Sequence, residues 1–185
     1  MSEQKDIAED GVRAMLRMVG MNPDDDGVAN TPKRVVKAFQ EMTAGYGEDP
    51  SAILATRFDG GDYDQMIVVR GIEFVSLCEH HLLPFAGTAV VAYIPRGKVV
   101  GLSKIPRLVQ TFARRLQLQE RLTQQIADAL AKHLDPKGVG VVLRARHSCM
   151  GLRGVKQDTA EMVTSCIRGA IMDKPEARAE LMSLK

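Results

Sequence analysis

The spacing of apolar residues predicts two helices at the start of the chain. Between residues 7 and 19 the apolar positions recur at close to helical spacing. The next amphipathic stretch, "TPKRVVKAFQEM", begins with Thr31, a suitable N-cap, and Pro32, which suits the first helical position. Turn residues fill the segment between the two helices, residues 21–30, so a loop is expected there.

The pattern then changes to that of strands. After a loop predicted over residues 47–64, "MIVVRGIEFVSL" is rich in β-branched residues and predicts one or two strands. "GTAVVAYIPRGKVVGL" predicts a hairpin that turns at residues 95–97. Two amphipathic helices follow, "KIPRLVQTFARRL", with Ser103 as its predicted cap, and "QLQERLTQQIADALAKHL". "GVGVVLRARHSC" and "EMVTSCIRGAIM" predict further strands, and residues 174–184 predict a closing helix.

This order of elements favours an α+β fold with an antiparallel sheet. We expect an N-terminal helical segment over residues 1–47 and one larger domain over residues 48–185. A length of 185 residues suits one compact domain with a small appendage.

Composition narrows the classes of protein. Hydrophobic residues make up 45% and charged residues 26% of the chain, as in a globular protein. A net charge of +2 gives no reason to expect a nucleic-acid partner. No apolar stretch approaches the roughly 20 residues that span a membrane, and the first residues lack the apolar run of a signal peptide, so a cytoplasmic protein is expected. Three cysteines argue against a disulfide framework and favour metal or thiol chemistry.

Two cysteine–histidine pairs stand out in a chain with only four histidines. Cys78 and His81 have the C-x-x-H spacing, which places both side chains on one face of a helical turn. His147 and Cys149 are two residues apart on a predicted strand and should point to the same side. Thiolates with imidazoles favour Zn²⁺ over Mg²⁺ or Ca²⁺.

The number of ligands decides the kind of metal site. With His80 there are five candidate ligands; four would close a structural site, whereas three would leave a position for a catalytic water. Spacing alone leaves both kinds of metal site open. It also leaves open a third alternative, in which no metal is bound and these cysteines and histidines only pack in the core. A histidine that is not a ligand suits proton transfer. We interpret Cys166 as a core residue and His133 as a residue at a helix C-terminus.

Basic residues recur where they could bind an anion. Two of them lie near a predicted helix N-terminus, where backbone N–H groups attract phosphate, and guanidinium groups suit phosphate oxygens; the candidates are Arg34, Lys37, Lys104, Arg107 and Arg153. The simpler alternative is solvated surface charge. Glu120 could accept two N–H bonds from a guanine edge and Gln119 could donate to its O6, or both could be ordinary residues of a helix start.

Together these segments resemble the GTP cyclohydrolase I family, whose enzymes open the imidazole ring of GTP at the head of the pterin and folate pathway. The resemblance lies in "SLCEHHLLPFAG", "VAYIP", "GLSKIPRLVQTFARRLQLQERLTQQIADAL", "RHSCMGLRGV" and "VTS", in this order with compatible gaps. It covers the chain from about Thr31 onward. These motifs are long and specific.

The resemblance implies a role for each candidate residue. It implies a catalytic zinc with a fourth position for water, held by Cys78, His81 and Cys149. His80 and His147 are then acid–base residues, with Ser103 close to the reacting groups. Guanine would be read by Gln119 and Glu120, and the triphosphate would meet Lys104, Arg107, Arg153, Arg34 and Lys37.

The resemblance also implies the reaction and the assembly. Hydrolysis at C8 would release formate, and an Amadori rearrangement would close the ring to 7,8-dihydroneopterin triphosphate. This step can serve tetrahydrofolate, biopterin or 7-deazaguanine biosynthesis, and the sequence leaves these pathways open. Family members use the tunnelling fold, with helices on one side of an antiparallel sheet. They form homodecamers of two stacked pentamers, with cooperative active sites between subunits.

Two other classes of protein compete with the enzyme. One is a nucleotide-binding protein of the same fold with a structural zinc and no turnover. The other is a nitrile reductase of queuosine synthesis, which relies on a nucleophilic cysteine. The intact His80 and His147 favour the cyclohydrolase, because a protein that only binds needs no free imidazole beside a metal.

Overall fold

The computed structural model describes residues 2–184. Its contacts divide the chain into two compact units, one ending at Thr43 and the other beginning at Ala44. This division falls a few residues before the boundary expected after residue 47. The outermost residues of the two predicted domains, Met1 and Lys185, lie outside the described residues.

The N-terminal unit consists of two helices, α1 (Ser2–Met18) and α2 (Thr31–Met42). Both helices are confirmed, although α1 begins before the predicted residue 7. Thr31 was expected to cap α2, but it is the first helical residue, and Asn30 occupies the N-cap position. Pro32 lies in the first turn, where a missing N–H costs nothing because that group has no partner within the helix.

The second unit begins with short elements and continues with a sheet and helices. A 3₁₀ turn comes first, at Ala44–Gly47. The elements that follow are α3 (Pro50–Ile53), β1 (Arg57–Asp59), β2 (Ile67–Cys78), β3 (Pro84–Ile94), β4 (Lys98–Val100), α4 (Lys104–Ala113), β5 (Leu116–Gln117), α5 (Gln119–Leu134), β6 (Gly138–His147), α6 (Ser148–Gly151), β7 (Met162–Gly169), α7 (Ala170–Asp173) and α8 (Pro175–Ser183). The loop predicted over residues 47–64 therefore contains α3 and β1. The Asp49 side chain caps α3 by accepting a 2.9 Å hydrogen bond from the Ser51 N–H.

Five strands form the main sheet in the order β5–β2–β3–β6–β7. All pairs are antiparallel except the short pair between β2 and β5. The predicted hairpin between β3 and β4 is wrong, because β4 pairs with β1 in a separate two-stranded sheet. The chain does turn at Gly97, where φ is 76°, but both edges of β3 are already hydrogen-bonded by β2 and β6.

The core confirms the α+β class, with helices α4 and α5 on one face of the antiparallel sheet. Leu108 of α4 and Ile126 of α5 are fully buried against strand residues such as Val141. The short helices α7 and α8 lie against the other face, where Leu181 joins a second apolar cluster. Among residues 2–184, none of the helices has the length and apolarity needed to cross a bilayer.

Candidate active site

The "CEHH" segment forms a tight turn at the end of β2. Cys78 is the last residue of that strand, and its carbonyl accepts a 2.8 Å hydrogen bond from the Leu82 N–H. The Cys78 N–H donates in turn to the Leu83 carbonyl at 2.9 Å. Leu82 has φ of 54°, a left-handed conformation that reverses the chain toward β3. This turn holds the side chains on either side of Glu79 close together.

Three side chains that could bind a metal converge at this turn. The ligand atoms of Cys78, His80 and His81 all lie within 4.8 Å of one another. The Cys78 Sγ is 3.6 Å from the His81 Nδ1, as the C-x-x-H spacing predicts. The two imidazole rings are perpendicular, with centroids 6.1 Å apart. Cys78 is buried and both histidines are exposed, so a thiol and two imidazoles open to solvent form a donor set that fits Zn²⁺.

Cys149 reaches this cluster by a route that differs from the prediction. It was expected on a strand, on the same side as His147, but β6 ends at His147 and Cys149 lies in α6. Its thiol lies close enough to Cys78 for the two groups to interact. Burial raises the pKa of the Cys149 thiol, the neighbouring Cys78 raises it further, and the positive charge of Arg153 opposes both effects.

His147 is held by the sheet and by α5. The register of β3 with β6 pairs it with Phe85, and the two rings stack with centroids 4.5 Å apart and planes within 2°. The His147 Nε2 is 2.8 Å from the Oε1 of Gln119. Burial lowers the pKa of His147, and the negative charge of Glu120 opposes this shift.

The first two residues of α5 differ sharply in exposure. The side chain of Gln119 is 1% exposed, and its amide contacts His147, β6 and β7. Glu120 is exposed. It lines an open cavity of about 350 Å³ together with the β7 residues Thr164 and Ser165 and with other polar groups. Of the two residues expected to read guanine, Glu120 is thus the one whose carboxylate faces an accessible space.

An ion pair that the sequence did not predict joins the "CEHH" turn to α5. The Glu79 carboxylate accepts two hydrogen bonds from the guanidinium of Arg121, one of them 3.0 Å long. This contact lowers the pKa of Glu79. The Glu79 N–H also donates to the Gln117 carbonyl at 3.1 Å. Glu79 and Arg121 are 42 residues apart, and no local spacing in the sequence could have paired them.

The residues of α4 expected near the reacting groups lie at the N-terminal end of that helix. Ser103 occupies the N-cap position of α4, and Lys104 and Arg107 lie in its first turn. Ser103 is exposed and lines an open cleft of about 820 Å³ between β2 and α4. Across the described residues, no side-chain hydrogen bond or ion pair joins Ser103, Lys104 or Arg107 to the cysteine–histidine cluster.

The other expected phosphate ligands occupy two places. Arg153 is exposed just after α6, close enough for its charge to act on the Cys149 thiol. Arg34 and Lys37 are exposed on α2 in the N-terminal unit. Lys37 forms an ion pair with Glu41 one helical turn away, at 3.8 Å. Arg153 is therefore an expected phosphate ligand that the fold places near Cys149.

Comparison with known proteins assigns the family. The model of the GTP cyclohydrolase I family matches residues 8–185. Proteins named GTP cyclohydrolase 1 from Campylobacter curvus and Campylobacter lari are 50% and 52% identical to this chain, with 95% of the chain and 93% of each relative covered. The relative from Chlorobaculum tepidum is 49% identical over 95% of the chain and 78% of its own length.

A solved structure titled as an archaeosine synthase QueF-Like protein covers 57% of the chain and 94% of its own length. Its TM-score is 0.47 and its identity 18%, a likeness too distant to carry any argument. The match to the family model and the relatives at about half identity are decisive. With its antiparallel sheet and packed helices in an α+β arrangement, this chain belongs to the GTP cyclohydrolase I family of hydrolases.

Proposed function

We propose that this chain hydrolyses GTP at C8 of the purine, releases formate, and closes the rearranged product to 7,8-dihydroneopterin triphosphate. The observation that carries this proposal is the convergence of Cys78, His80 and His81 within 4.8 Å in a member of the family. Relatives that share about half of its residues are named GTP cyclohydrolase 1.

We propose that Cys78, His81 and Cys149 hold one Zn²⁺ ion. The donor set of two thiols and an imidazole suits this metal, and three protein ligands leave a coordination position open. The proximity of Cys149 to Cys78 supports the inclusion of a residue from α6. Bound there, zinc supplies the Lewis acidity that makes water a stronger nucleophile at neutral pH.

The residues around the cluster carry out binding and proton transfer in this proposal. His147, next to Glu120 in space, protonates N7 of the purine and thereby makes C8 more electrophilic. The Glu120 carboxylate accepts hydrogen bonds from the N1–H and 2-amino groups of guanine, and its position on an open cavity supports this role. His80 and Ser103 move protons in the later steps. The lowered pKa of His147 leaves it a good acid once it is protonated.

The triphosphate binds to the basic residues in this proposal. Lys104 and Arg107 lie in the first turn of α4, where free backbone N–H groups add to the attraction of an anion. Arg153, beside Cys149, contacts the phosphates closest to the metal. Arg34 and Lys37 complete the set of phosphate-binding residues that the family resemblance implies.

Because the family resemblance implies active sites between subunits, we propose that this chain shares its active sites with neighbouring copies. We propose a homodecamer of two pentamers that works in the cytoplasm at the start of tetrahydrofolate biosynthesis. All three cysteines are free thiols, which suits a reducing compartment. Light scattering coupled to size-exclusion chromatography tests the assembly, because a decamer has about ten times the 20.3 kDa mass of the chain.

Product analysis tests the activity. Purified protein of known metal content is mixed with GTP, and released formate and the fluorescent oxidised pterin are measured with and without a chelator. Both products should appear and both should be lost on chelation. Formate without pterin would show that ring opening occurs and closure fails. The absence of both products, despite one bound zinc per chain, would refute the proposal in favour of a nucleotide-binding protein.

A matched pair of histidine substitutions separates catalysis from binding. His147→Ala should lower turnover by about 100-fold or more, since general acid catalysis contributes roughly 10²–10⁴, while GTP binding measured by calorimetry persists. His133→Ala is the control, because His133 lies in the last turn of α5 at the opposite end of that helix. Equal losses in both variants would argue against an acid role for His147.

A further inference from the structure

The amide of Gln119 makes a set of hydrogen bonds whose directions can be deduced. Gln119 is the first residue of α5 and is 1% exposed. Its Nε2 lies 2.9 Å from the Met162 carbonyl and 3.3 Å from the Leu143 carbonyl, on the paired strands β7 and β6. Its Oε1 lies 2.8 Å from the His147 Nε2. The same amide therefore contacts two strands and the proposed acid.

The two backbone carbonyls determine the orientation of this amide. A carbonyl oxygen only accepts hydrogen bonds, so the amide group that faces Met162 and Leu143 must be the NH₂. The reverse orientation would bury an amide oxygen against two carbonyl oxygens and leave the NH₂ without those acceptors. The Gln119 Oε1 must consequently face His147.

A pair of threonines supports the same orientation independently. The Thr123 hydroxyl donates its one hydrogen to the Gln119 backbone carbonyl at 2.7 Å. In its 2.6 Å contact with Thr164 it must then accept, so the Thr164 hydroxyl is the donor. The Thr164 oxygen is left to accept from the Gln119 Nε2, which is 3.2 Å away. The hydrogen bonds among Thr123, Thr164 and Gln119 are therefore mutually consistent when the NH₂ of Gln119 faces β7.

We propose that Gln119 is a positioning residue that keeps a proton on the Nε2 of His147, so that Nδ1 is the ring nitrogen that takes up a proton and passes it to the substrate. An amide oxygen only accepts, so the ring nitrogen opposite it must donate. Phe85 stacks on the same ring and restrains its plane, so tautomer and orientation are both set. This inference rests on the proposed function of His147, and it assigns Gln119 a role other than guanine recognition.

Nitrogen NMR of the zinc-loaded protein tests the tautomer directly. Protein labelled with ¹⁵N-histidine is measured in the solid state at about pH 8, where an ordinary imidazole is neutral. The chain has four histidines, and His147→Ala identifies the signals of His147 by their loss. A protonated Nε2 and an unprotonated Nδ1 are expected. A proton on Nδ1 would overturn the proposal, whether or not the protein turns over GTP.

Kinetics of matched variants test the consequence. Gln119→Met removes the acceptor and should lower kcat by about 10- to 100-fold, with KM for GTP within about threefold. Gln117→Met is the control, because Gln117 is equally buried and its Nε2 bonds Phe112 and Gln125 instead. A raised KM for GTP with unchanged kcat in Gln119→Met would overturn the proposal and indicate guanine recognition instead. An equal loss of kcat in the Gln117→Met control would also overturn it, because general damage to the core would then explain the loss.

The NMR and kinetic experiments separate this inference from the proposed function. Wild-type protein without formate or pterin production refutes the function, while the NMR spectrum still reports whether Gln119 sets the tautomer. If Gln119→Met does not fold, as judged by circular dichroism and zinc content, the wild-type spectrum decides alone. A mixed tautomer in a folded Gln119→Met variant, with a single tautomer in the wild type, supports the inference.

Discussion

Phe85 connects the stability of the sheet to the position of His147. Its side chain is 1% exposed, stacks on the His147 ring, and meets the ring of Phe74 edge-to-face with centroids 6.1 Å apart. Phe85→Leu removes three carbons, which at about 0.8 kcal/mol each corresponds to about 2.4 kcal/mol of lost burial. Loss of the edge-to-face contact adds about 1 kcal/mol. We therefore expect the variant to lose about 3 kcal/mol of unfolding free energy.

Phe74→Leu is the matched control for this substitution. Phe74 is 2% exposed in the same cluster and takes part in the same edge-to-face contact. It should therefore lose a similar free energy. Only Phe85→Leu also frees the His147 ring, so only this variant should show a fall in kcat of about tenfold beyond its effect on folding.

Urea unfolding followed by circular dichroism measures the stability of both variants, because the chain has no tryptophan. Protein concentration is held constant, since an oligomer gains stability from association. Turnover is measured well below each unfolding transition. Equal kcat in the two variants would refute the importance of the stack. A loss under about 1 kcal/mol in Phe85→Leu would refute the packing estimate.

Three further substitutions test other parts of the structure. Cys149→Ser should reduce bound zinc to less than about half of the wild-type value by elemental analysis, whereas Cys166→Ser, a buried cysteine outside the cluster, should retain it. Gly87→Ala should lower Tm by about 10 °C or more in a thermal melt, because its Cβ would lie 1.8 Å from the Arg144 carbonyl oxygen on β6. Burial raises the pKa of Tyr93 above that of an unfolded tyrosine. The contribution of Tyr93 to the unfolding free energy is therefore intact below about pH 10 and falls as the pH rises further. Tyr93→Phe should lose less unfolding free energy than the wild type between about pH 8 and 10.5, as measured by urea unfolding.

Much of the secondary structure could be predicted because it depends on neighbouring residues. Helices α2, α4, α5 and α8 follow apolar spacing and Pro positions that act within one or two turns. The proximity of Cys78 to His81 is local in the same sense, since a single turn brings residues three apart together. The predicted hairpin failed because the pairing of β4 depends on which strand edges remain free, and a distant strand, β6, occupies the second edge of β3.

The sequence by itself determined the family and the clustering of the candidate metal ligands in "CEHH". It also indicated, in outline, that the second cysteine–histidine pair belongs with them. Only the tertiary structure decided how these residues are held. Cys149 reaches Cys78 from a helix instead of a strand, Glu79 pairs with Arg121, and Gln119 faces His147. The last two of these contacts join residues 42 and 28 positions apart, and Cys149 is further still from Cys78 along the chain. These contacts depend on strand register and on the packing of α5 against the sheet, and no local pattern of residues encodes either.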